Sequence, residues 1–476
     1  MNWNQILLMR DEISLTIIIL VILVSDLIVK DDRKKIISNI AIGLFAIHTL
    51  AGFIPMPEGT LFGGMFKTDP LIFGFKNILN IGVFLILLQA TSWLNDKMLG
   101  MAKIAEFYIV LFSSVLGIYF MVSAGHFLIL YLGLELSILP VSALAAYEIY
   151  NRKSSEAAIK LILSAAISSG IFLFGISILY AIGGSLYFND LIGKIHPSYL
   201  SVMGLVFVFS GLAFKISLVP FHLWTADVYE GAPTPVSNYL SVISKAGAVF
   251  ILMVLLFITL ETMHDIWIYL VYGIAVLTMF VGNFFALRQH NLKRFLAFSS
   301  VAQAGFILMG MTAANQLGIT SIVYFMAIYI FSNIGAFGVV EAIALKTGKE
   351  NIDDYSGLYR TNPLLSLVLM LSLFSLAGIP PIAGFFGKFF LYMAAASQGY
   401  YVLVFIAVVN VTISLYYYLI VIRAAFLRKS ETPIAYFKSD NYMRVSLLLV
   451  TIALLVIGLY SPFYDYIYSI SNIIKF

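Results

Sequence analysis

Phe214-Lys215-Ile216-Ser217-Leu218-Val219-Pro220-Phe221-His222 sets a lysine and a proline inside an apolar run that extends from 199 to 229. Neither residue suits a helix that crosses a bilayer. Proline removes a backbone hydrogen bond and clashes with the preceding turn. The freed groups survive at membrane depth only where protein or a water-filled cavity covers them. A charge at the centre of a membrane helix costs about 2.5–3.5 kcal/mol on insertion scales. A second run, 363–397, repeats the combination: Gly378-Ile379-Pro380-Pro381, then Gly384, Gly387 and Lys388. Glu135 and Lys245 are two further charges well inside apolar runs. Four buried charges and two interrupted helices point to an internal ion path.

Working outward, the rest of the chain is membrane protein. Of 476 residues, 61% are hydrophobic and 11% charged, and the mean hydropathy is +0.98. Apolar runs of helix length recur from end to end, which overrides the soluble-domain reading of the length. Fourteen segments are expected: 13–29, 36–55, 74–94, 104–123, 126–149, 157–182, 199–229 (broken), 236–260, 264–287, 294–313, 317–345, 363–397 (broken), 401–427 and 443–466. The first follows Asp11 and Glu12 and lacks the basic flank and cleavage site of a signal peptide, so it reads as a retained membrane helix. No cysteine is present, which excludes disulfides and thiolate-held metal clusters. The six histidines show no metal-ligand spacing. No basic patch suggests nucleic acid.

An even number of spans puts both termini on one side. Most of the 28 basic residues cluster at 30–35, 97–103 (Lys97 and Lys103), 152–153, 288–294, 346–360 and 423–444, in alternate loops. The other loops and the termini hold Arg10, Lys67, Lys194 and Lys475. The positive-inside rule then sends both termini outward. Segments 7 and 12, five apart, run in opposite directions. This suggests inverted five-helix repeats, segments 4–8 and 9–13, with interrupted helices at matching positions, a pointer to a transport path. The chain divides into 1–100, 101–262 (first repeat), 263–430 (second repeat) and 431–476.

Lysine suits proton storage because its pKa moves readily on burial, unlike that of arginine. A carboxylate moving past a buried lysine would switch it between holding and releasing a proton. A static ion pair fixing helix register is the plainer alternative. Ser299, Ser300, Gln303, Ser332 and Asn333 are candidate relays, although each alone suits an interhelical hydrogen bond. His222 either relays protons or satisfies backbone groups freed at the break. Lys76, near a helix end, is expected to snorkel to the interface. Lys160, one turn after Glu156, reads as a helix-stabilising pair or as part of a charge network. Gly384-Phe385-Phe386-Gly387-Lys388-Phe389 lacks the spacing and hydroxyl of a phosphate loop. No dinucleotide fingerprint occurs, so redox chemistry would lie in other subunits.

The run Phe214 to Val236, with Asp227-Val228-Tyr229-Glu230-Gly231-Ala232-Pro233, closely resembles the antiporter-like subunits of respiratory complex I, in the wording of the subunit N (subunit 2) type. Lys293-Arg294-Phe295-Leu296-Ala297-Phe298-Ser299-Ser300 and Ser375 to Phe389 fit the same family. The resemblance covers segments 4–13. It implies a 14-helix, all-α polytopic fold with a proton path through Glu135, Lys215, Lys245 and Lys388. Lysine at 388 fits subunit N rather than subunit M, where glutamate is expected. The chain ends soon after segment 14 and so lacks the lateral helix of subunit L. The resemblance also implies no cofactor here, with flavin, iron–sulfur clusters and quinone in partner subunits. It implies a bacterial inner membrane and contact with other antiporter-like subunits. In that family's scheme Glu135 pairs with Lys215. A Mrp-type cation/proton antiporter subunit shares the fold and is the alternative. A purely structural subunit is a third.

Overall fold

A computed structural model of the chain describes residues 7–30, 33–96 and 104–473. Lys97, Lys103 and Lys475 of the charge pattern lie outside them. The described residues are mostly helix, and expected segments 7 and 12 are each a broken pair. Among the described residues, eleven helices are long and apolar enough to cross a membrane. Segments 1, 2 and 12 fall short of that measure. Arg10–Ile28 includes Arg10, Asp11, Glu12 and Asp26, Lys35–Ala51 has 17 residues, and segment 12 is split into two 15-residue helices. Segment 1 starts at Arg10, three residues before the expected bound, which draws Asp11 and Glu12 into the bundle. Segment 14 is Asn441–Leu459, and Ser461–Ile470 is a separate helix with proline in its first turn. A small antiparallel hairpin, Gly59–Leu61 with Phe66–Thr68, joins segments 2 and 3.

Local chemistry sets the helix ends. Asn151, Asn291 and Asn315 accept hydrogen bonds from the first free N–H groups of segments 6, 10 and 11. Gly184 and Gly348 close segments 6 and 11 with φ of 69° each, a conformation that glycine takes without strain. Segments 4 and 5 meet backbone to backbone: a Cβ on Gly117 would lie 2.4 Å from Ser137 N, and one on Gly133 2.6 Å from Met121 N. Segments 9 and 10 do the same, with a Cβ on Gly282 2.4 Å from Ala302 N. Small residues allow such approach where no water drives association.

Three helices form the centre. The apolar part of Gln316–Thr347 (segment 11) is wholly buried, that of Leu292–Met311 (segment 10) is 94% buried and that of Thr234–Thr259 (segment 8) 89%. The outer helices, such as Tyr401–Phe426 and Asn441–Leu459, are one-third buried and leave most of their surface uncovered by the rest of the chain. Polar residues on segments 8, 10 and 11 therefore have only protein to bond.

A row of buried lysines between two broken helices

Segment 7 runs as Tyr199–Ile216, breaks, and resumes as Leu223–Gly231. Ser217 ends the first half in the left-handed region, at φ 67°. The groups freed by the break find partners: Trp224 Nε1 donates to Phe214 O at 3.1 Å and Val219 N to Thr278 Oγ1 at 3.2 Å. Segment 12 runs as Pro363–Ala377 and Ala383–Ser397, with Gly378 at φ 85° between them. A Cβ on Gly384 would lie 1.7 Å from Ser375 O, so the second half starts hard against the carbonyl end of the first. Lys215 sits at the end of the first half of segment 7. Lys388 sits within the second half of segment 12 and reaches back to that carbonyl end.

The second half of segment 7 is fastened by charge. Asp227 bonds Lys160 at 2.6 Å and Arg294 at 2.7 Å, and Glu230 bonds Lys153 at 2.9 Å and Arg294 at 3.0 Å. Lys160 also holds Glu156 at 2.6 Å, so both readings of that lysine apply. Lys293, beside Arg294, donates to Ala232 O at 3.0 Å. Networks of this kind hold geometry better than isolated exposed pairs.

Lys215 is buried and donates to Ser137 Oγ. Ser114 Oγ donates to Ser137 O at 2.7 Å and bonds Tyr239 OH at 2.9 Å, which carries polar contact onto segment 8. Glu135, two residues before Ser137, is half-buried and close enough to act on Lys215 electrostatically. Among the described residues, however, no ion pair within 4 Å joins them. The expected Glu135–Lys215 contact is therefore replaced by a hydroxyl contact.

Lys245 is fully buried. It follows a π-helical turn, Leu240–Ser244, and precedes another, Leu255–Thr259, wide turns that recur at functional sites. Its Nζ donates to Ser300 Oγ at 3.0 Å and Ser300 O at 3.3 Å. The neighbouring Ser299 Oγ bonds Tyr418 OH at 2.5 Å. Gln303 Nε2 donates to Tyr418 OH at 3.2 Å and to Leu376 O at 3.0 Å. Lys388 Nζ donates to the same Leu376 O at 2.7 Å, and to Ala377 O at 3.3 Å. It stands 4.7 Å from the centre of the Phe306 ring. Ser299, Ser300 and Gln303 thus lie between Lys245 and Lys388.

The other candidates stand apart. Ser332 Oγ donates to Ser375 Oγ at 2.8 Å beside the break. Asn333 turns its amide to Tyr329 O of its own helix, at 2.9 Å. His222 packs beside Phe285, and neither ring nitrogen has a hydrogen-bond partner among the described residues. Lys76 does not snorkel. It is 1% exposed, with Nζ 2.5 Å from Glu12 Oε1, so the buried cations extend beyond the three lysines of the row. Ser114, Ser137, Tyr239 and Tyr418 escaped the sequence reading because buried hydroxyls in apolar helices are commonplace.

Fold and site together define a polytopic membrane protein with a buried cationic row between two interrupted helices. Residues 124–414 match the family described as NADH:quinone oxidoreductase/Mrp antiporter, TM. The chain is 48% identical to NADH-quinone oxidoreductase subunit N of Phocaeicola vulgatus, over 98% of both chains, and 46% identical to subunit N of Azobacteroides pseudotrichonymphae, over 99% of both. Among solved structures it is similar to a chain of respiratory complex I from Thermus thermophilus with bound aureothin (TM-score 0.79, 26% identity, 96% of this chain and 98% of that one). It is also similar to a chain of the Mrp complex from Dietzia (TM-score 0.87, 18% identity, 99% and 97%). That second likeness speaks for the fold alone. The chain belongs to the subunit N family of NADH-quinone oxidoreductase.

Proposed function

We propose that this chain is the proton-translocating N subunit of a bacterial NADH–quinone oxidoreductase, a membrane translocase subunit without a redox site of its own. The observation that carries the proton role is a pair of polar runs on neighbouring residues of segment 10: Lys245 bonds Ser300, and Ser299 leads through Tyr418 and Gln303 to the carbonyl that Lys388 holds. Quinone reduction in partner subunits, which would carry the flavin, iron–sulfur clusters and quinone, drives the movement. Protons enter from the cytoplasmic side near segment 8, rest on Lys245, cross to Lys388 and leave outward. A polar cavity of about 200 Å³ at the start of segment 8, lined by Glu230, Thr234, Lys293 and Glu350 among others, supports uptake there. Glu135 tunes Lys215 when a rearrangement brings the two together.

All fourteen segments span the bacterial inner membrane in this reading, with both termini outside and other antiporter-like subunits alongside. Residues 101–262 and 263–430 form the two inverted repeats. The matching breaks in segments 7 and 12, and the glycine-mediated contacts in the matching pairs 4–5 and 9–10, support that symmetry.

The test is to tag the chain, extract native membranes gently and assay what co-purifies. A large assembly that oxidises NADH and acidifies the vesicle interior is expected. Sodium-dependent exchange without NADH oxidation would move the assignment to the cation/proton antiporter. Lys215→Met and Glu135→Gln are expected to reduce pumping while the complex assembles. Unchanged pumping in both would remove them from the path. Tyr418→Phe keeps the ring and removes the hydroxyl shared by Ser299 and Gln303. It is expected to slow pumping by about three- to tenfold, the scale of one hydrogen bond, read as dye-reported acidification per NADH oxidised.

A further inference from the structure

The mechanism above leaves unused a second buried ionisable cluster, at the ends of segments 1–4 that the charge pattern assigns to the outside. Glu12 and Lys76 form an ion pair with exposures of 2% and 1%. Glu12 Oε2 and the neighbouring Asp11 Oδ2 are buried without hydrogen-bond partners. A static pair built to fix helix register would engage both carboxylate oxygens. Beside the pair runs a continuous chain. Ser14 Oγ bonds His48 Nδ1 at 2.8 Å, His48 Nε2 bonds Tyr119 OH at 3.0 Å, and Tyr119 OH donates to Asn80 Oδ1. Lys76 Nζ stands 5.5 Å from the centre of the Tyr119 ring. Four helices each supply one link.

An imidazole bonded at both nitrogens can take a proton at one and release it from the other. His48 is placed for that between two hydroxyls. On segment 8, Tyr239 OH bonds Ser114 Oγ at 2.9 Å, and Ser114 Oγ donates to the backbone carbonyl of Ser137, whose hydroxyl Lys215 meets. At the outer end Arg10 closes the cluster. It is 19% exposed, near Asp11 at 3.4 Å, with Nη1 on Ile54 O at 2.8 Å. The charged and titratable groups facing the pair are thus Arg10 and Asp11 of segment 1, His48 of segment 2 and Tyr119 of segment 4.

We propose that Glu12 and Lys76 form a second proton-exchange site, through which protons from the Lys215 side leave at the outer face by way of Tyr119. The pair changes state by one transfer: the Lys76 ammonium gives its proton to the Glu12 carboxylate, leaving a neutral amine and acid. The acid releases that proton outward past Arg10, and the amine is recharged from Tyr119, whose hydroxyl regains a proton that the Lys215 ammonium gives up. The inference rests on the proton-translocation reading and adds to the first half of the subunit an exit of its own.

Two variants of the assembled complex test it in membrane vesicles. Tyr119→Phe leaves the ion pair and the ring in place and breaks the chain. Glu12→Gln with Lys76→Met removes both charges together, so that no lone charge is left buried. Each is expected to lower protons moved per NADH oxidised by a fixed fraction, with NADH:quinone turnover retained. A merely structural role would change the amount of complex and not that ratio. A wild-type ratio in Tyr119→Phe overturns the proposal, whether or not the double variant assembles. Lys215→Met, run in parallel, separates the failures: if it too pumps at the wild-type ratio, the proton path through this half is wrong, and not the branch alone.

Discussion

Vesicles carrying Lys245→Met are expected to lose proton pumping by about a hundredfold, the lower end of what one positioned proton-transfer group contributes, with the complex still assembled. Lys245 has no relative exposure, and among the described residues its ammonium bonds the hydroxyl and carbonyl of Ser300. Among the described residues no carboxylate lies within 4 Å of it. Leaving a buried charge without a counter-charge is expensive, so folding alone gives no reason to keep the ammonium. Methionine fills a similar volume, and the fold should hold or gain. In the proposed path the position comes first, with Ser300 bonded to it and the neighbouring Ser299 leading through Tyr418 and Gln303 toward Lys388. The check is acidification per NADH oxidised, normalised to assembled complex. A ratio within twofold of wild type would show that Lys245 only fixes the packing of segments 8 and 10.

The helix breaks were legible in the sequence because Pro220, Pro380 and Pro381 stand in the middle of apolar runs with a lysine within about two turns of each break. Lys215, Lys245 and Lys388 were legible for the same reason: charge inside such runs has to be answered for. What joins them was not. Tyr418 and Tyr239 read as two aromatics among many, because the bond that gives each a role comes from another segment. Ser137 and Ser114 look like serines returning their hydroxyls to their own helix. Only the crossing of segments 4, 5 and 8 brings them into one chain. The misreading of Lys76 has a related cause. Depth was judged from distance to a helix end, and its partner Glu12 lies 64 residues away on a helix that starts earlier than hydropathy suggests. The Glu135–Lys215 contact failed on geometry too, since Ser137, two residues from Glu135, reaches the ammonium instead.

Lys388→Arg is the most discriminating substitution at the far end of the row. Lys388 does two things at once. Its Nζ covers Leu376 O and Ala377 O, the carbonyls left open where segment 12 breaks, and it ends the polar chain from Lys245. An unpartnered buried carbonyl costs about 1–3 kcal/mol, so a structural reading needs only a donor there. Arginine supplies donors, keeps the charge and still packs over an aromatic ring such as Phe306. It will not give up a proton. If Lys388 is a plug, Lys388→Arg pumps like wild type, and only Lys388→Met fails, through poor assembly. If it is the last proton donor, Lys388→Arg assembles and loses pumping by about a hundredfold, as at Lys245, while Lys388→Met loses both. The second pattern is the expected one. It follows from Leu376 O accepting from Lys388 and Gln303 together: the glutamine amide already covers that carbonyl, which leaves the lysine only the longer 3.3 Å contact to Ala377 O as a covering task.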